Sequence, residues 1–107
     1  GSRGLGDVYK RQVYNKITVK VYMPQDGLTG SQDNKLWVKL QDGSSGEPWV
    51  GQALKEQAVT LNGWQTLEFD FSDQKAETKY SRVLLQFNGE NNTDKVIAYI
   101  DNIFLHR

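Results

Sequence analysis

Apolar and polar residues alternate with period two along most of this chain. Ile17, Val19, Val21 and Met23 fall in one phase, and Thr18, Lys20 and Tyr22 in the other. That is the pattern of a strand with one buried face. Met23-Pro24 stops it, and Asp26-Gly27 and Gly30 mark the following loop. Leu36, Val38 and Leu40 then alternate with Trp37, Lys39 and Gln41 until the turn-rich run Asp42-Gly43-Ser44-Ser45-Gly46. Between Trp49 and Leu61 the alternation is poorer, and Ala53 to Glu56 would tolerate a helix. We read a strand from Ala53 to Thr60, because Leu61-Asn62-Gly63-Trp64 predicts a type I′ hairpin turn to a strand that follows it. In that strand Gln65, Leu67, Phe69 and Phe71 oppose Trp64, Thr66, Glu68 and Asp70. Arg82 to Asn88 alternates again, with Val83, Leu85 and Phe87 in the apolar phase. A polar loop, Gly89 to Asp94, leads into a last strand from Lys95 to Leu105.

Six strands and no convincing amphipathic helix predict an all-β fold, an antiparallel β-sandwich. At 107 residues the chain suits one domain with a single core.

Charge narrows the partners. Thirteen basic residues balance 13 acidic ones, with no long run of either sign, which argues against nucleic acid or an anionic membrane and favours a neutral ligand. With no cysteine, disulfides, thiolate catalysis and sulfur-ligated zinc are excluded. No stretch approaches the roughly 18 apolar residues of a membrane-crossing helix, and no apolar export signal precedes the first strand.

The segments ITVKVYMP, LWVKLQDG, NGWQTLEFDFSD, YSRVLLQFNG and AYIDNIFL follow one another in an order that resembles the jelly-roll carbohydrate-binding modules attached to bacterial polysaccharide-degrading enzymes. The likeness runs from about Lys16 to Leu105. Its markers are W-x-x-L-x-F-D-F at Trp64 to Phe71 and Y-I-D-x-I at Tyr99 to Ile103. It implies a secreted bacterial parent protein and a non-catalytic module that binds polysaccharide or oligosaccharide. Such modules begin with further strands, so the resemblance implies a jelly-roll-like fold missing its N-terminal strands. In their place stands GSRGLGDVYKRQ. Gly1-Ser2 resembles a cloning scar and Gly4 to Gln12 a translated sequencing adapter, so residues 1–12 are set apart and 13–107 read as the domain. A sandwich short of a strand leaves an open edge, which predicts a homodimer or strand-swapped oligomer, or pairing with the Val8-Tyr9 segment.

Sugars are held by aromatic rings laid on their apolar faces and by planar polar side chains bonding their hydroxyls. Tyr22 and Trp37 lie in the outward phase, with Lys20, Lys39, Gln86 and Asn88 beside them, and Trp49 sits in the loop GEPWVG. The expected ligand-binding set is therefore Trp37, Trp49, Tyr22, Gln86, Asn88 and Lys39. Each also has a plain alternative: cross-strand packing for Trp37 and Tyr22, a loop anchor for Trp49, and solvated positions for the amides. Trp64 is expected to pack. In the resembled modules the Y-I-D carboxylate helps hold a structural calcium, which makes Asp101 a candidate metal ligand and calcium a possible, not required, cofactor. Calcium takes six to eight oxygens, so the alternative is that Asp101 and Asn102 bond neighbouring backbone. Glu68 and Asp70 lie two apart on one face, a spacing that two hydrolytic carboxylates could share, yet no enzyme is expected. The competing readings are an assembly domain whose aromatic face meets protein and a degenerate piece of a jelly-roll hydrolase or lyase.

Overall fold

The structure, a computed structural model, describes residues 15–30, 33–74, 80–89 and 91–107. The segment 1–12, with Val8 and Tyr9, lies outside the described residues. Six strands are present among the described residues: β1 (Lys16–Tyr22), β2 (Lys35–Gln41), β3 (Ala53–Ala58), β4 (Gln65–Asp70), β5 (Arg82–Phe87) and β6 (Tyr99–His106), with a 3-10 turn at Gln25–Gly27. They form two three-stranded sheets, β4-β1-β6 and β3-β2-β5, in which every pairing is antiparallel. The fold is all-β, as the alternation predicts. Among the described residues no helix is long and apolar enough to cross a membrane.

The period-two pattern decides which residues enter the core. Ile17, Val19 and Val21 on β1 stand opposite Phe69, Leu67 and Gln65 on β4, and Leu36, Val38 and Leu40 on β2 stand opposite Phe87, Leu85 and Val83 on β5. The two central strands are the most deeply buried: Val19, Val21, Leu36 and Val38 have no exposed surface. With Met23, Phe69, Phe71 and Tyr80 they make one hydrophobic cluster fed by both sheets. Withdrawing a side chain such as Phe69 from water contributes about 2–3 kcal/mol.

Two expectations need correction here. β3 and β4 do not form a hairpin, since β3 pairs with β2 and β4 with β1. Asn62 takes φ 66°, but Gly63 stays out of the left-handed region that a type I′ turn requires of both central residues. The physical reason lies in where the apolar residues must go. Val59 is buried and donates its N–H to Asn34 O at 2.8 Å, continuing along β2, after which the chain crosses to the other sheet so that Leu67 and Phe69 face the core from the opposite side. Asn62 anchors the crossing, donating its N–H to Met23 O and accepting from Gln25 N–H through Oδ1, both at 3.0 Å. The last strand also begins later than its apolar run, at Tyr99 rather than Lys95, and β3 ends at Ala58 rather than Thr60.

The poor alternation of β3 also has a structural cause. Its core-phase positions, opposite Val38 and Leu36, are Lys55 and Gln57. Both reach across to the other sheet's side: Gln57 Nε2 donates to Glu68 O at 3.1 Å, and Lys55 Nζ meets Asp73 Oδ2 at 2.6 Å. The β3–β4 side of the molecule is thus laced by polar bridges. The β5–β6 side is apolar and more open: Val83, Leu85 and Phe87 are only partly buried, and Ile100 and Ile103, opposite core residues Val21 and Val19, remain 40% and 45% exposed.

Candidate functional site

The outer face of β2 presents Trp37, Lys39 and Gln41 in succession, flanked by Gln86, Leu84 and Arg82 on β5. A hollow lies at each end of this row, about 13 Å apart along the strand. At the Gln41 end is a cleft of about 740 Å³ lined by Gln41, Pro48, Trp49, Gln52, Arg82 and Leu84. At the Trp37 end a hollow of about 360 Å³ is bounded by Trp37, Asn88, Gly89 and residues 91–94.

The first cleft is assembled by loop anchors whose partners are far apart in sequence. Val50 N–H closes a turn onto Glu47 O at 3.0 Å, and Gly51 turns the chain with φ 72°. Tyr80, almost fully buried, donates its hydroxyl to Gly51 O at 2.7 Å, which pins the loop to the core. Trp49 is left 58% exposed at the rim, an indole with no core to fill. Gln41 Nε2 donates to Gln52 Oε1 at 2.7 Å, fixing the amide, while Gln41 Oε1 is buried without a hydrogen-bond partner. That oxygen is enclosed by the protein, so the amide the cleft offers a ligand is that of Gln52. Arg82, opposite Gln41 in the register, adds an exposed guanidinium.

The expected residues divide. Trp49 stands exposed in this cleft. Trp37 is half-buried beneath Gly89, whose missing Cβ would lie 3.2 Å from the ring, and its Nε1 is enclosed without an acceptor. Gln86 is its cross-strand neighbour, and Gln86 Oε1 is likewise buried without a partner. Lys39 is 1% exposed, with Nζ 5.7 Å from the Trp37 ring, so its ammonium is set into the sheet surface. Asn88 is occupied by the backbone: at φ 61°, its Oδ1 accepts from Lys35 N–H at 2.9 Å and its Nδ2 donates to Asn34 Oδ1 at 3.0 Å.

Tyr22 lies on the other sheet, away from these residues, at the centre of an aromatic row. Its ring centroid is 5.6 Å from Trp64 and 6.4 Å from Tyr99, both rings tilted to it. Trp64, expected to pack, is instead 52% exposed and Tyr99 is 55% exposed, one on each side of Tyr22. Lys20 sits 5.7 Å from the Trp64 ring.

Sequence reasoning passed over Gln41, Gln52 and Arg82. Gln41 could have been found, since it shares the outward phase of Trp37 and Lys39. Gln52 carries no local signal, because only the loop's return brings it beside Gln41.

Asp101 stands 3.8 Å from Lys20 Nζ, and Asn102 Nδ2 lies 3.4 Å from its carboxylate. Among the described residues no group of three His, Cys, Asp or Glu gathers. One carboxylate already facing an ammonium does not supply a calcium's oxygen set. Glu68 and Asp70 lie on exposed β4 positions, and the Ser72 hydroxyl and N–H hold the Asp70 carboxyl below its ordinary value. A glycosidic general acid requires the opposite shift.

No family model matches the chain, and no curated protein or solved structure matches it significantly.

Proposed function

We propose that this domain binds carbohydrate without chemistry, as an ancillary module of a secreted polysaccharide-degrading protein. On this reading the two sheets are the layers of a jelly-roll-like β-sandwich. The observation that carries the proposal is the Trp49 cleft: an exposed indole at the rim, beside Gln41, Gln52 and Arg82. Stacking on Trp49 takes the apolar face of a pyranose, and its hydroxyls bond the Gln52 amide, while Arg82 donates to ring or hydroxyl oxygens. Because the cleft is open, little area is buried and hydroxyl desolvation offsets much of each polar contact, so affinity falls in the micromolar to millimolar range. The binding needs no cofactor.

Affinity electrophoresis through a panel of soluble polysaccharides tests this. The wild type is expected to be retarded by at least one, Trp49→Ala to run free, and Trp64→Ala to remain retarded. Free migration of the wild type through every polysaccharide overturns the reading. Loss of retardation in Trp64→Ala alone moves the site to the aromatic row of the other sheet.

A further inference from the structure

We propose that the Trp49 cleft selects polysaccharides that carry uronic-acid carboxylates. The inference rests on the carbohydrate-binding reading of that cleft and names the class of sugar it takes. The balance of 13 basic and 13 acidic residues, which favours a neutral ligand, describes the whole chain. A ligand responds to the charges near it, within a screening length of about 8–10 Å at moderate salt. In the cleft the balance is broken, because Arg82 is the one charged residue among those that line it. Arg82 is exposed, and among the described residues its guanidinium has no ion pair and no hydrogen bond. Of the neighbouring acids, Asp42 is turned to the Ser44 N–H and hydroxyl, at 3.0 and 2.6 Å, and Glu47 lies outside the lining. An unpaired cation thus stands beside an exposed indole.

The hydrogen-bonding capacity of the cleft has the same bias. Gln41 Nε2 donates to Gln52 Oε1 at 2.7 Å, which engages the Gln52 oxygen and leaves Gln52 Nε2 as the open end of that amide. Gln41 Oε1 is enclosed. The side-chain groups left to a ligand are therefore donors: Gln52 Nε2, the Arg82 guanidinium and the Trp49 indole N–H. A neutral sugar meets such a site poorly, because each hydroxyl that accepts a hydrogen bond also carries a proton to place. A carboxylate only accepts, and its two oxygens match the planar fork of a guanidinium in a bidentate pair. A uronic acid joins both needs in one sugar, a pyranose face for Trp49 and a carboxylate for Arg82. The cleft volume, about 740 Å³, falls within the range of small-ligand sites.

Affinity electrophoresis through polygalacturonate, alginate and glucuronoxylan tests the proposal, each run beside its carboxyl-reduced form, which keeps the chain and loses the charge. At least one acidic polymer is expected to bind the wild type about tenfold more tightly than its reduced form, the effect of one charge-assisted pair at an open site. Arg82→Gln is expected to abolish that difference, and Arg82→Lys to keep only part of it, since the charge remains without the fork. Thermal melts check that both variants stay folded. Reduced forms that bind as tightly as their acidic parents overturn the uronate assignment and leave carbohydrate binding standing. So does a folded Arg82→Gln protein that keeps the preference, or dextran sulfate binding as tightly as the best uronate, which marks a general attraction for anions. Binding to none of the polymers, acidic or reduced, overturns the carbohydrate reading itself and this inference with it.

Discussion

At Asn88 the chain turns at φ 61°, and the amide that sequence reasoning offers to a sugar is spent on Lys35 N–H and Asn34. Asparagine tolerates this left-handed geometry because its short side chain bonds locally. Asn88→Ala should lower stability by about 1–3 kcal/mol, since it leaves the Lys35 N–H unmet and puts alanine, which lacks asparagine's local bonding, at positive φ. Urea denaturation measures that cost, and carbohydrate binding should persist at concentrations where the variant stays folded. Gly89, next along, has φ 84° and lies against Trp37. Gly89→Ala should destabilise by at least about 1 kcal/mol, from the backbone and from the 3.2 Å approach to the indole together, and tryptophan fluorescence should report the displaced ring. Lys39 and Asn88 share one lesson: strand phase tells which way a side chain points, whereas exposure depends on what else crowds that face.

At the scale of elements, β3 and its crossing to β4 depart most from local expectation. Asn-Gly between two strands is a strong hairpin signal, yet β3 and β4 occupy different sheets. The alternative is set by core demand, because a hairpin would leave Phe69 and Val38 on one sheet with no facing layer. The β3–β4 border is then secured by Lys55 and Asp73, whose carboxyl is held below its ordinary value by the Lys55 hydrogen bond, as Asp70 is by Ser72. Both folded-state carboxyls titrate below their unfolded counterparts. Their contribution is therefore complete above the unfolded value of 3.8 and is lost as pH falls through the lower folded values. Thermal melts from neutral to acid pH should show the melting temperature dropping below about pH 3.8, with a shallower drop in Asp73→Asn. The effect is small, because both groups are exposed to solvent screening.

At the scale of the whole molecule, the described residues pack one side closely and leave the other more open. The central strands bury Val19, Val21, Leu36 and Val38 completely, while Ile100 and Ile103 on β6 keep much of their surface in water. Core truncation should reflect this. Phe69→Ala should cost about 3–5 kcal/mol, a large part of the 5–15 kcal/mol typical of a domain. Ile103→Ala, at a site 45% exposed, should cost less than half as much when both are unfolded in urea at a concentration low enough to keep the chain monomeric. Equal costs would mean that the β5–β6 side is as closely packed as the rest.

The sequence by itself determined the all-β class, five of the six strand starts to within a residue or two, and the inward set Ile17, Val19, Val21, Leu36, Val38, Leu40 and Phe69, because a period of two is a local property that survives any arrangement of the strands. It also marked Trp49 as an aromatic without a core. Only the tertiary structure decided that β3 and β4 lie in different sheets, that Lys39 is buried while Trp64 is bare, and that Gln52 and Arg82 stand beside Trp49. Those outcomes depend on which segments, distant along the chain, meet across a shared core and which strand is left at the border, and no local pattern encodes that.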